Sequence, residues 1–286
     1  MASLSSYGGK IGLLTFYLLR RWRRVALTNL NLAFGKEKDK NEIQWMCRQL
    51  FMNMGRDMME IYRCVDFEDN YFKTLVRFEG KEHLDRALKE GKGAIALSAH
   101  LGNFPLMSAR LSNEGYPLSL VARDPENPKI AKAITSLRDT VGMESIPDEP
   151  RMACVSRCFK ALKGNRILLL QIDQSAPITE AWVDFFGYLV PTFKGPVLFS
   201  IRTGAPIIPM FITRDSDHLH KITIHPPFDL KTTGNVDQDI PSNLARLTKI
   251  IESAIREHPE QWLWIYRRFK RARDIQTGER LFRKSS

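Results

Sequence analysis

The sequence predicts an α/β protein with a mostly parallel central sheet flanked by helices, and three observations lead to that class. Apolar runs too short for soluble helices alternate with longer segments of helical periodicity. Polar residues follow several of these runs, as happens where the carboxyl ends of parallel strands form a ligand-binding edge. The chain has 286 residues, of which 43% are hydrophobic, and is long enough to bury one large core. We therefore expect a helical N-terminal arm over residues 1–62 that forms one compact unit with an α/β domain over residues 63–286.

The N-terminal arm is predicted to be helical and to associate with a membrane. Residues 11–19 form an apolar run of about half the length that a bilayer-crossing helix requires. Four arginines and a tryptophan follow at residues 20–24, a combination typical of segments in the interface of an anionic membrane. The alternative is a terminal helix packed on the domain with a solvated basic face. Apolar residues recur at helical spacing over residues 25–62, so this part is also predicted to be helical.

The net charge of +11 implies a polyanionic partner, which is a nucleic acid, an anionic membrane surface or an acidic substrate. No acidic residue precedes Glu37, and a second basic block lies at residues 267–273. Nucleic-acid binding explains the charge but not the histidine turn described next. We therefore expect an anionic membrane lipid as a partner and no nucleic acid.

Residues 93–107 form the unit around which the predicted site is organised. A short apolar run bounded by glycines is typical of a buried strand, and it ends just before His100. Gly102 then breaks the run, Asn103 is a good helix N-cap, and Pro105 suits the first turn of a helix. His100 is therefore expected at the carboxyl end of a parallel strand, where ligands usually bind. A packed or hydrogen-bonded structural histidine is the alternative.

The same alternation continues along the rest of the chain. In order, the pattern predicts a strand within residues 72–78, a helix at 81–90, a strand at 117–122, helices at 127–140 and 151–163, a strand at 166–172, a strand pair at 206–213 and 219–225, and a helix at 241–257. Polar side chains follow three of the predicted strands, and they are His100, Arg123, Asp173 and Gln174. Right-handed crossovers would bring these side chains to one edge of the sheet.

The chemistry of this edge is predicted from what the sequence contains and lacks. No serine or cysteine stands at the spacing of a nucleophile elbow, and there is no glycine-rich phosphate loop. The four cysteines lack zinc-like spacing and are expected to be reduced and structural. His218, His220 and His225 are expected at the surface and not on a metal. The pattern favours transfer or hydrolysis at a carbonyl, with His100 as general base and backbone amides as oxyanion donors.

A set of motifs distributed over nearly the whole chain carries a family resemblance. The set comprises Ser98-Ala-His100-Leu-Gly-Asn103-Phe, Arg123 with Asn127-Pro128, Arg138, Ile172-Asp173-Gln174, Phe185-Phe186-Gly187 and residues 258–270. It resembles the bacterial late lipid A acyltransferase family, a branch of the lysophospholipid acyltransferase superfamily. The resemblance implies a monotopic, peripheral protein on the cytoplasmic face of the bacterial inner membrane.

The resemblance further implies a reaction in lipid A and lipopolysaccharide biosynthesis. A fatty acyl chain would move from acyl carrier protein, or from coenzyme A, to a hydroxyl of a lipid A precursor or related lipid. Acyl carrier protein and the lipid acceptor are then the expected partners. The acyl thioester is a co-substrate, and no other cofactor or metal is expected.

This sequence departs from the family pattern at two acidic positions, which are occupied here by Pro105 and by Ser175. The family has an acidic residue five positions after the histidine, whereas this chain has Pro105 there. Asp173 matches a functional aspartate of the family's Asp-Gln-Asp stretch and is the expected replacement, as the group that orients His100. Asp124 and Glu126 are weaker candidates. A helix cap or a loop ion pair is the structural alternative for Asp173.

The resemblance also implies a set of substrate-binding residues. These are Arg123, Arg138, Asn103, Gln174 and Thr192. The two arginines would suit a phosphate of the lipid or of the acyl carrier, while helix capping is the alternative for the asparagine. An apolar cleft lined by Met54, Met58 and Leu106 would hold the acyl chain. The proline at position 105 leaves a second function open, that of a non-catalytic lipid-binding protein that keeps the fold.

Overall fold

A seven-stranded, mostly parallel sheet lies at the centre of the protein. The computed structural model describes residues 2–64, 73–123, 127, 131–132, 135–136, 138, 143–215 and 219–282. In chain order the strands are β1 (Val76–Glu79), β2 (Ala94–Ser98), β3 (Leu118–Ala122), β4 (Glu144–Pro147), β5 (Ile167–Gln171), β6 (Ala181–Phe185), β7 (Tyr188–Thr192), β8 (Ile207–Arg214), β9 (His220–Ile224) and β10 (Arg273–Asp274). The large sheet has the order β1-β9-β8-β2-β5-β3-β4, and a small antiparallel sheet has the order β10-β7-β6. In the large sheet β8 and β9 are antiparallel and the other neighbours are parallel, so the predicted α/β class is confirmed.

Helices pack on both faces of the large sheet. They are α1 (Ala2–Leu18), α2 (Arg20–Phe34), α3 (Lys40–Cys64), α4 (Lys81–Lys89), α5 (Phe104–Asn113), α6 (Arg151–Lys163), α7 (Gly195–Thr203) and α8 (Val236–Glu257). The helix predicted at 151–163 is confirmed. The last helix begins earlier than predicted, because the Asn235 side chain caps it and Pro241 lies inside it.

Two predicted elements differ from the structure or lie outside it. Residues 73–75 are helical, so the strand expected within residues 72–78 is confined to β1. Most of the helix predicted at residues 127–140 lies outside the described residues.

Strand β2 forms the centre of the core, and its five residues are all buried. Ile95 and Leu97 belong to the apolar cluster that includes side chains of α2, α3, α6, α7 and α8. Ala94 and Ala96 belong to the cluster on the opposite face, with side chains of α4 and α5. This alternation is expected for a strand with helices on both sides. The strand that leads to His100 is therefore buried on both faces.

The N-terminal arm consists of α1, α2 and α3, as its periodicity predicts. α2 and α3 bury one face in the main apolar cluster. α1 lies along α3 at very short range, where Gly8 and Gly12 face Gly55. A Cβ atom on either Gly12 or Gly55 would collide with backbone oxygen atoms of the facing helix. No helix in the described part of the chain combines the length and the hydropathy needed to cross a bilayer.

The C-terminal segment at residues 258–271, here called the strap, crosses the carboxyl end of β2. The Leu263 amide donates to the His100 carbonyl at 3.0 Å, and the Gly102 amide donates to a strap carbonyl at 3.0 Å. The strap and the histidine turn therefore pair as a short antiparallel ladder. Asn29 of α2 donates to two strap carbonyls, each at 2.7 Å, and so connects the arm to the strap.

Candidate active site

The turn between β2 and α5 has the structure that its sequence predicts. Gly102 has a φ of 57°, and a Cβ atom there would collide with the carbonyl oxygen of Ile212, so this position requires glycine. The Asn103 side chain caps α5 by accepting a hydrogen bond from the Leu106 amide at 3.3 Å. Pro105 lies in the first helical turn, where its missing N–H costs nothing.

Asp173, just after β5, holds the His100 ring and backbone together. Strands β2 and β5 are parallel neighbours, so their carboxyl ends lie side by side. Nδ1 of His100 is 2.8 Å from Oδ1 of Asp173, and the His100 amide donates to Oδ2 at 2.7 Å. The indole N–H of Trp262, on the strap, donates to the same Oδ2 at 2.7 Å. A carboxylate thus contacts the histidine although the residue five positions along the chain is a proline.

The Asp173 carboxylate is ionised at neutral pH in spite of its burial. Burial raises its pKa, but the charge of His100 and the hydrogen bonds from His100 and Trp262 together hold that pKa below its ordinary value. An ionised carboxylate only accepts hydrogen bonds, so a neutral His100 carries its hydrogen on Nδ1. Nε2 then has a lone pair, as a general base requires.

Three side chains surround the remainder of the His100 ring. The rings of Phe104 and Tyr266 pack against it edge to face, with centroid distances of 4.9 Å and 5.0 Å. The side-chain nitrogen of Gln174 lies 2.8 Å from Nε2. The His100 side chain is 12% exposed, so only a small part of the ring is open to solvent.

A buried guanidinium, that of Arg268, fixes the backbone beside this ring. Nη1 donates to the carbonyl oxygens of Gln174 at 2.6 Å and Pro191 at 2.8 Å, and Nη2 donates to Oγ1 of Thr192 at 2.6 Å. Burial lowers the pKa of Arg268 to about 10, against the opposing effect of the Asp173 charge. Arg268 therefore remains charged at neutral pH and joins the strap both to β7 and to the loop after β5.

Comparison with known proteins decides the family. The matching family model is described as bacterial lipid A biosynthesis acyltransferase and covers residues 1–271. The chain belongs to this acyltransferase family. A lipid A biosynthesis acyltransferase of Haemophilus influenzae is 24% identical over 277 residues, which are 96% of this chain and 83% of that protein. A lipid A biosynthesis palmitoleoyltransferase of Escherichia coli K12 is 23% identical, over 92% of this chain and 83% of that protein.

A phosphatidylinositol mannoside acyltransferase of Mycobacterium tuberculosis is also similar. It is 27% identical over 172 residues, which are 57% of this chain and 52% of that protein. This member of the acyltransferase family is therefore similar to proteins named for two different glycolipids.

The family resemblance implied a set of substrate-binding residues, and some of them lie away from His100. Arg123 is 73% exposed and pairs with Asp148, and β5 separates its strand β3 from β2. Arg138 donates to Oγ of Ser145 at 3.5 Å. Thr192 is fully buried and accepts the hydrogen bond of the strap guanidinium. The roles of these three residues in substrate binding stay predictions. The weaker acid candidates, Asp124 and Glu126, lie outside the described residues.

A second buried polar cluster lies around Glu60 of α3 and contacts the Asn103 side chain. It was not among the predicted site residues. Oε2 of Glu60 accepts a hydrogen bond from Nδ2 of Asn103 at 3.0 Å and lies 2.9 Å from Nε2 of His220. Both Glu60 oxygens also bind the Arg214 guanidinium, which bonds in addition to Asp57. Glu60 therefore connects the capping residue of the histidine turn to the end of β8 and to β9.

The expectation that His220 lies at the surface is wrong. His220 is fully buried, because β9 is an inner strand of the sheet and the Glu60 carboxylate accepts its hydrogen bond. His218 lies outside the described residues. One signal for the cluster was present in the sequence of α3. Met46, Asn53 and Glu60 are spaced seven residues apart, so they lie on one face of α3, and all three are buried. The Glu60 carboxylate therefore lies on the buried face of this helix.

The three residues expected to line an acyl cleft do not share a surface. Leu106 is 1% exposed in the cluster beneath α5, and Met54 packs partly buried against the opposite cluster. Met58 is 67% exposed on α3. The expectation of a cleft formed by these three is therefore wrong, because helical spacing did not show which side of the sheet each residue faces.

Three of the four cysteines, Cys47, Cys154 and Cys158, are free, and burial raises the pKa of the Cys47 thiol to about 12. Cys47 therefore stays protonated and unreactive. Within the described ranges, no three His, Cys, Asp or Glu side chains are arranged to hold a metal ion.

Proposed function

We propose that this protein is an acyltransferase that works at a membrane surface and uses His100 as its general base. The donor is a fatty acyl thioester of acyl carrier protein or coenzyme A. The acceptor is a hydroxyl of a lipid A precursor or of a related glycolipid or lysolipid. Family membership supports acyl transfer, and the names of the relatives support a glycolipid acceptor.

The observation that carries the proposal is the pairing of His100 with an ionised Asp173. Nε2 takes the proton of the acceptor hydroxyl as its oxygen attacks the thioester carbonyl. Asp173 stabilises the imidazolium that forms. The tetrahedral intermediate then expels the thiolate as the C–S bond breaks, and the Nε2 proton passes to the sulfur. The products are an ester and a free thiol, and no covalent enzyme intermediate is formed.

Several of the backbone amides expected to stabilise the oxyanion are already donors within the protein. The amides of Gly102, Phe104 and Leu106 already donate to oxygen atoms of the protein. The Gln174 side chain is a donor that lies beside Nε2. A hydrogen bond to a developing oxyanion contributes more than one to the ground state, so this donor matters for the rate.

The arm presents an apolar surface that supports membrane association. Tyr7, Ile11, Leu14 and Leu18 recur at intervals of three or four residues along α1, and each is between 51% and 67% exposed. We call these four residues the apolar stripe. Their spacing places them on one face of the helix. The arginines at the start of α2 follow directly, so apolar and cationic groups lie together as in proteins that bind the interface of anionic membranes.

A groove of about 650 Å³ along α2 supports an anionic lipid as the partner. Its cationic lining comes from Arg20, Arg23 and Arg24, and its apolar lining includes Leu27 and Phe282. Guanidinium groups bind phosphate by charge-assisted hydrogen bonds, and apolar walls suit the adjoining hydrocarbon. The groove therefore matches the chemistry of a phosphate-bearing lipid.

The test of the proposal compares the parent protein with His100→Ala and with a control, His225→Ala. His225 follows directly after β9 and is exposed, and its backbone amide donates to the Pro209 carbonyl. Each protein is incubated with acyl carrier protein or coenzyme A thioesters and a bacterial lipid extract, and acylated lipids are identified by mass spectrometry. We expect product from the parent and from the control, and none from His100→Ala.

Two other outcomes would contradict the proposal in different ways. Equal product from the parent and His100→Ala would remove His100 from the mechanism. Product from no protein, with lipid binding retained by all three, would favour the non-catalytic lipid-binding protein that Pro105 leaves open.

A further inference from the structure

The lone pair that makes His100 a base is occupied in this structure. Asp173 fixes the ring hydrogen on Nδ1, so Nε2 is the acceptor nitrogen. The side-chain N–H of Gln174 lies 2.8 Å away and donates to it. An sp² ring nitrogen has a single lone pair and accepts one strong hydrogen bond. An acceptor hydroxyl, or a water molecule, must therefore displace the Gln174 amide before His100 can take its proton.

We propose that Gln174 is the residue that makes His100 select the lipid hydroxyl over water, by occupying the base until an acceptor displaces it. This inference rests on the proposed function and assigns a specific role within that site. A bound acceptor has contacts over its whole surface to offset the lost amide hydrogen bond, whereas water has one hydrogen bond to offer. The acyl thioester is then protected from hydrolysis until the acceptor is in place.

The structure allows the side chain of Gln174 to move while its backbone stays fixed. Arg268 holds the Gln174 carbonyl at 2.6 Å, and the side chain is only partly buried. The Tyr266 ring packs against the same His100 ring. An amide displaced from Nε2 by the acceptor thus remains beside the base, and in this proposal it then donates to the oxyanion.

The two competing reactions are chemically balanced. With the lipid hydroxyl, the thioester gives an ester and a thiol. With water, it gives a carboxylic acid and the same thiol, because Nε2 takes a proton from water and returns it to the leaving sulfur. Both need the same base, so displacement of Gln174 favours transfer only because the bound acceptor, unlike water, offsets its cost.

The first experiment measures acyl transfer at saturating acceptor and thioester hydrolysis without acceptor in Gln174→Leu, whose side chain is of comparable volume but has no N–H. Loss of an oxyanion donor slows both reactions alike, so we expect the ratio of transfer to hydrolysis to fall about fivefold, the factor that one net hydrogen bond is worth. The matched control is Gln171→Leu, because the Gln171 amide at the same strand end donates to the Ala99 carbonyl and not to His100. An unchanged ratio in Gln174→Leu, or an equal fall in the control, would overturn the inference.

The second experiment needs neither a variant nor activity. In parent protein labelled with ¹⁵N at glutamine side chains and histidine rings, we expect a scalar coupling across the N–H···N hydrogen bond between Gln174 and His100 Nε2 at a pH where the ring is neutral. A His100 ring protonated on Nε2, with the Gln174 oxygen as its acceptor, would overturn the inference. This result is independent of acyl transfer, so loss of the coupling and loss of the proposed function are separate outcomes.

Discussion

The two oxygens of Asp173 have different partners, and this difference predicts the effect of an amide at the same position. Oδ2 accepts hydrogen bonds from the His100 backbone and the Trp262 indole, whereas Oδ1 faces Nδ1. In Asp173→Asn the amide oxygen must face the two N–H donors, so the NH₂ group faces Nδ1. The ring hydrogen then moves to Nε2, and the base is lost. We expect kcat for acyl transfer to fall by about 10³- to 10⁴-fold, measured in single-turnover assays.

A control separates this tautomer effect from simple loss of a hydrogen bond. Trp262→Phe removes one donor to Oδ2 but leaves the Nδ1 contact in place, so its effect on kcat should be much smaller. An Asp173→Asn enzyme that kept its rate within about tenfold of the parent would be incompatible with the role assigned to Asp173.

Glu60 and Asp57 provide a contrast within one buried cluster. Glu60 accepts from Asn103, His220 and Arg214, whereas Asp57 pairs with Arg214 and is 19% exposed. Burial raises the pKa of Glu60, but the hydrogen bonds of His220 and Arg214 outweigh it and lower that pKa to about 2. We expect Glu60→Gln to cost about 3 kcal/mol of unfolding free energy at pH 7, and Asp57→Asn to cost much less, because burial already disfavours the charged form of Asp57. Urea denaturation of both variants measures this difference, and equal losses would contradict it.

The same cluster predicts how stability depends on pH. Burial raises the pKa of Asp57 to about 6, against the opposing charge of Arg214. Between about pH 4 and pH 6 the folded protein therefore holds a proton on Asp57 that the unfolded chain has released, so this group makes stability fall as pH rises. Below about pH 4.5 the Glu60 contribution is lost as pH falls toward 2. Denaturation midpoints of Asp57→Asn should lack the decline between pH 4 and pH 6, and a decline equal to that of the parent would exclude Asp57 as its source.

Single residues differ in how far their sequence context reveals them. His100 and Asp173 follow apolar strands, and parallel strands align their carboxyl ends, so their proximity could be predicted. The occupied state of Nε2 depends on a side-chain rotamer of Gln174, and the Glu60 cluster depends on contacts more than a hundred residues apart in sequence. The seven-residue spacing in α3 places Glu60 on the buried face of that helix, but local periodicity identifies neither the partners of Glu60 nor the rotamer of Gln174.

At the scale of elements, the contact between α1 and α3 depends on the absence of side chains. Gly12 on α1 faces the backbone of α3, whereas Gly9 on the same helix faces only the flexible side chain of Arg56. We expect Gly12→Ala to push α1 away from α3 and to increase amide exchange throughout α1. Gly9→Ala is the matched control, in which alanine improves helix propensity by about 1 kcal/mol without a backbone collision. Hydrogen exchange monitored by mass spectrometry measures both, and equal exchange in the two variants would contradict the proposed packing.

The limits of some elements could be predicted better than others. The helix at residues 151–163 was predicted to the residue, because Pro150 and Gly164 mark its two ends. α8 begins five residues before its predicted start, because Asn235 provides the cap and Pro241 lies inside the helix. Proline marks a helix start only when no better cap precedes it, and a single sequence does not distinguish the two cases.

At the scale of the whole molecule, the α/β class followed from alternating apolar runs, but the order of the strands did not. β1 pairs with β9 more than a hundred residues later, and the strap closes over β2 from the far end of the chain. Such contacts depend on which surfaces of the helices and strands are still exposed once these elements have formed. The helical arm was predicted, whereas its connection to the strap through Asn29 was not.

The excess of positive charge and the apolar stripe together predict a two-part attachment to membranes. Leu14→Ser with Leu18→Ser removes apolar area from the stripe, and Arg20→Gln with Arg24→Gln removes two charges from the groove. We expect each pair to weaken binding to vesicles that contain an anionic phospholipid by about tenfold in low salt. Binding is measured by vesicle co-sedimentation, with Met152→Ser, an exposed apolar residue on α6, as the control.

Salt separates the two contributions. Ions screen exposed charges within a few ångströms at high concentration, so the parent and the arginine variant should then bind equally. The deficit of the serine variant should persist, because burial of apolar side chains does not depend on charge. Serine variants that bound as tightly as the parent under both conditions would show that the apolar stripe does not contribute to membrane binding. Attachment would then rest on the arginines alone, and the site would have to reach its lipid without the apolar face of α1.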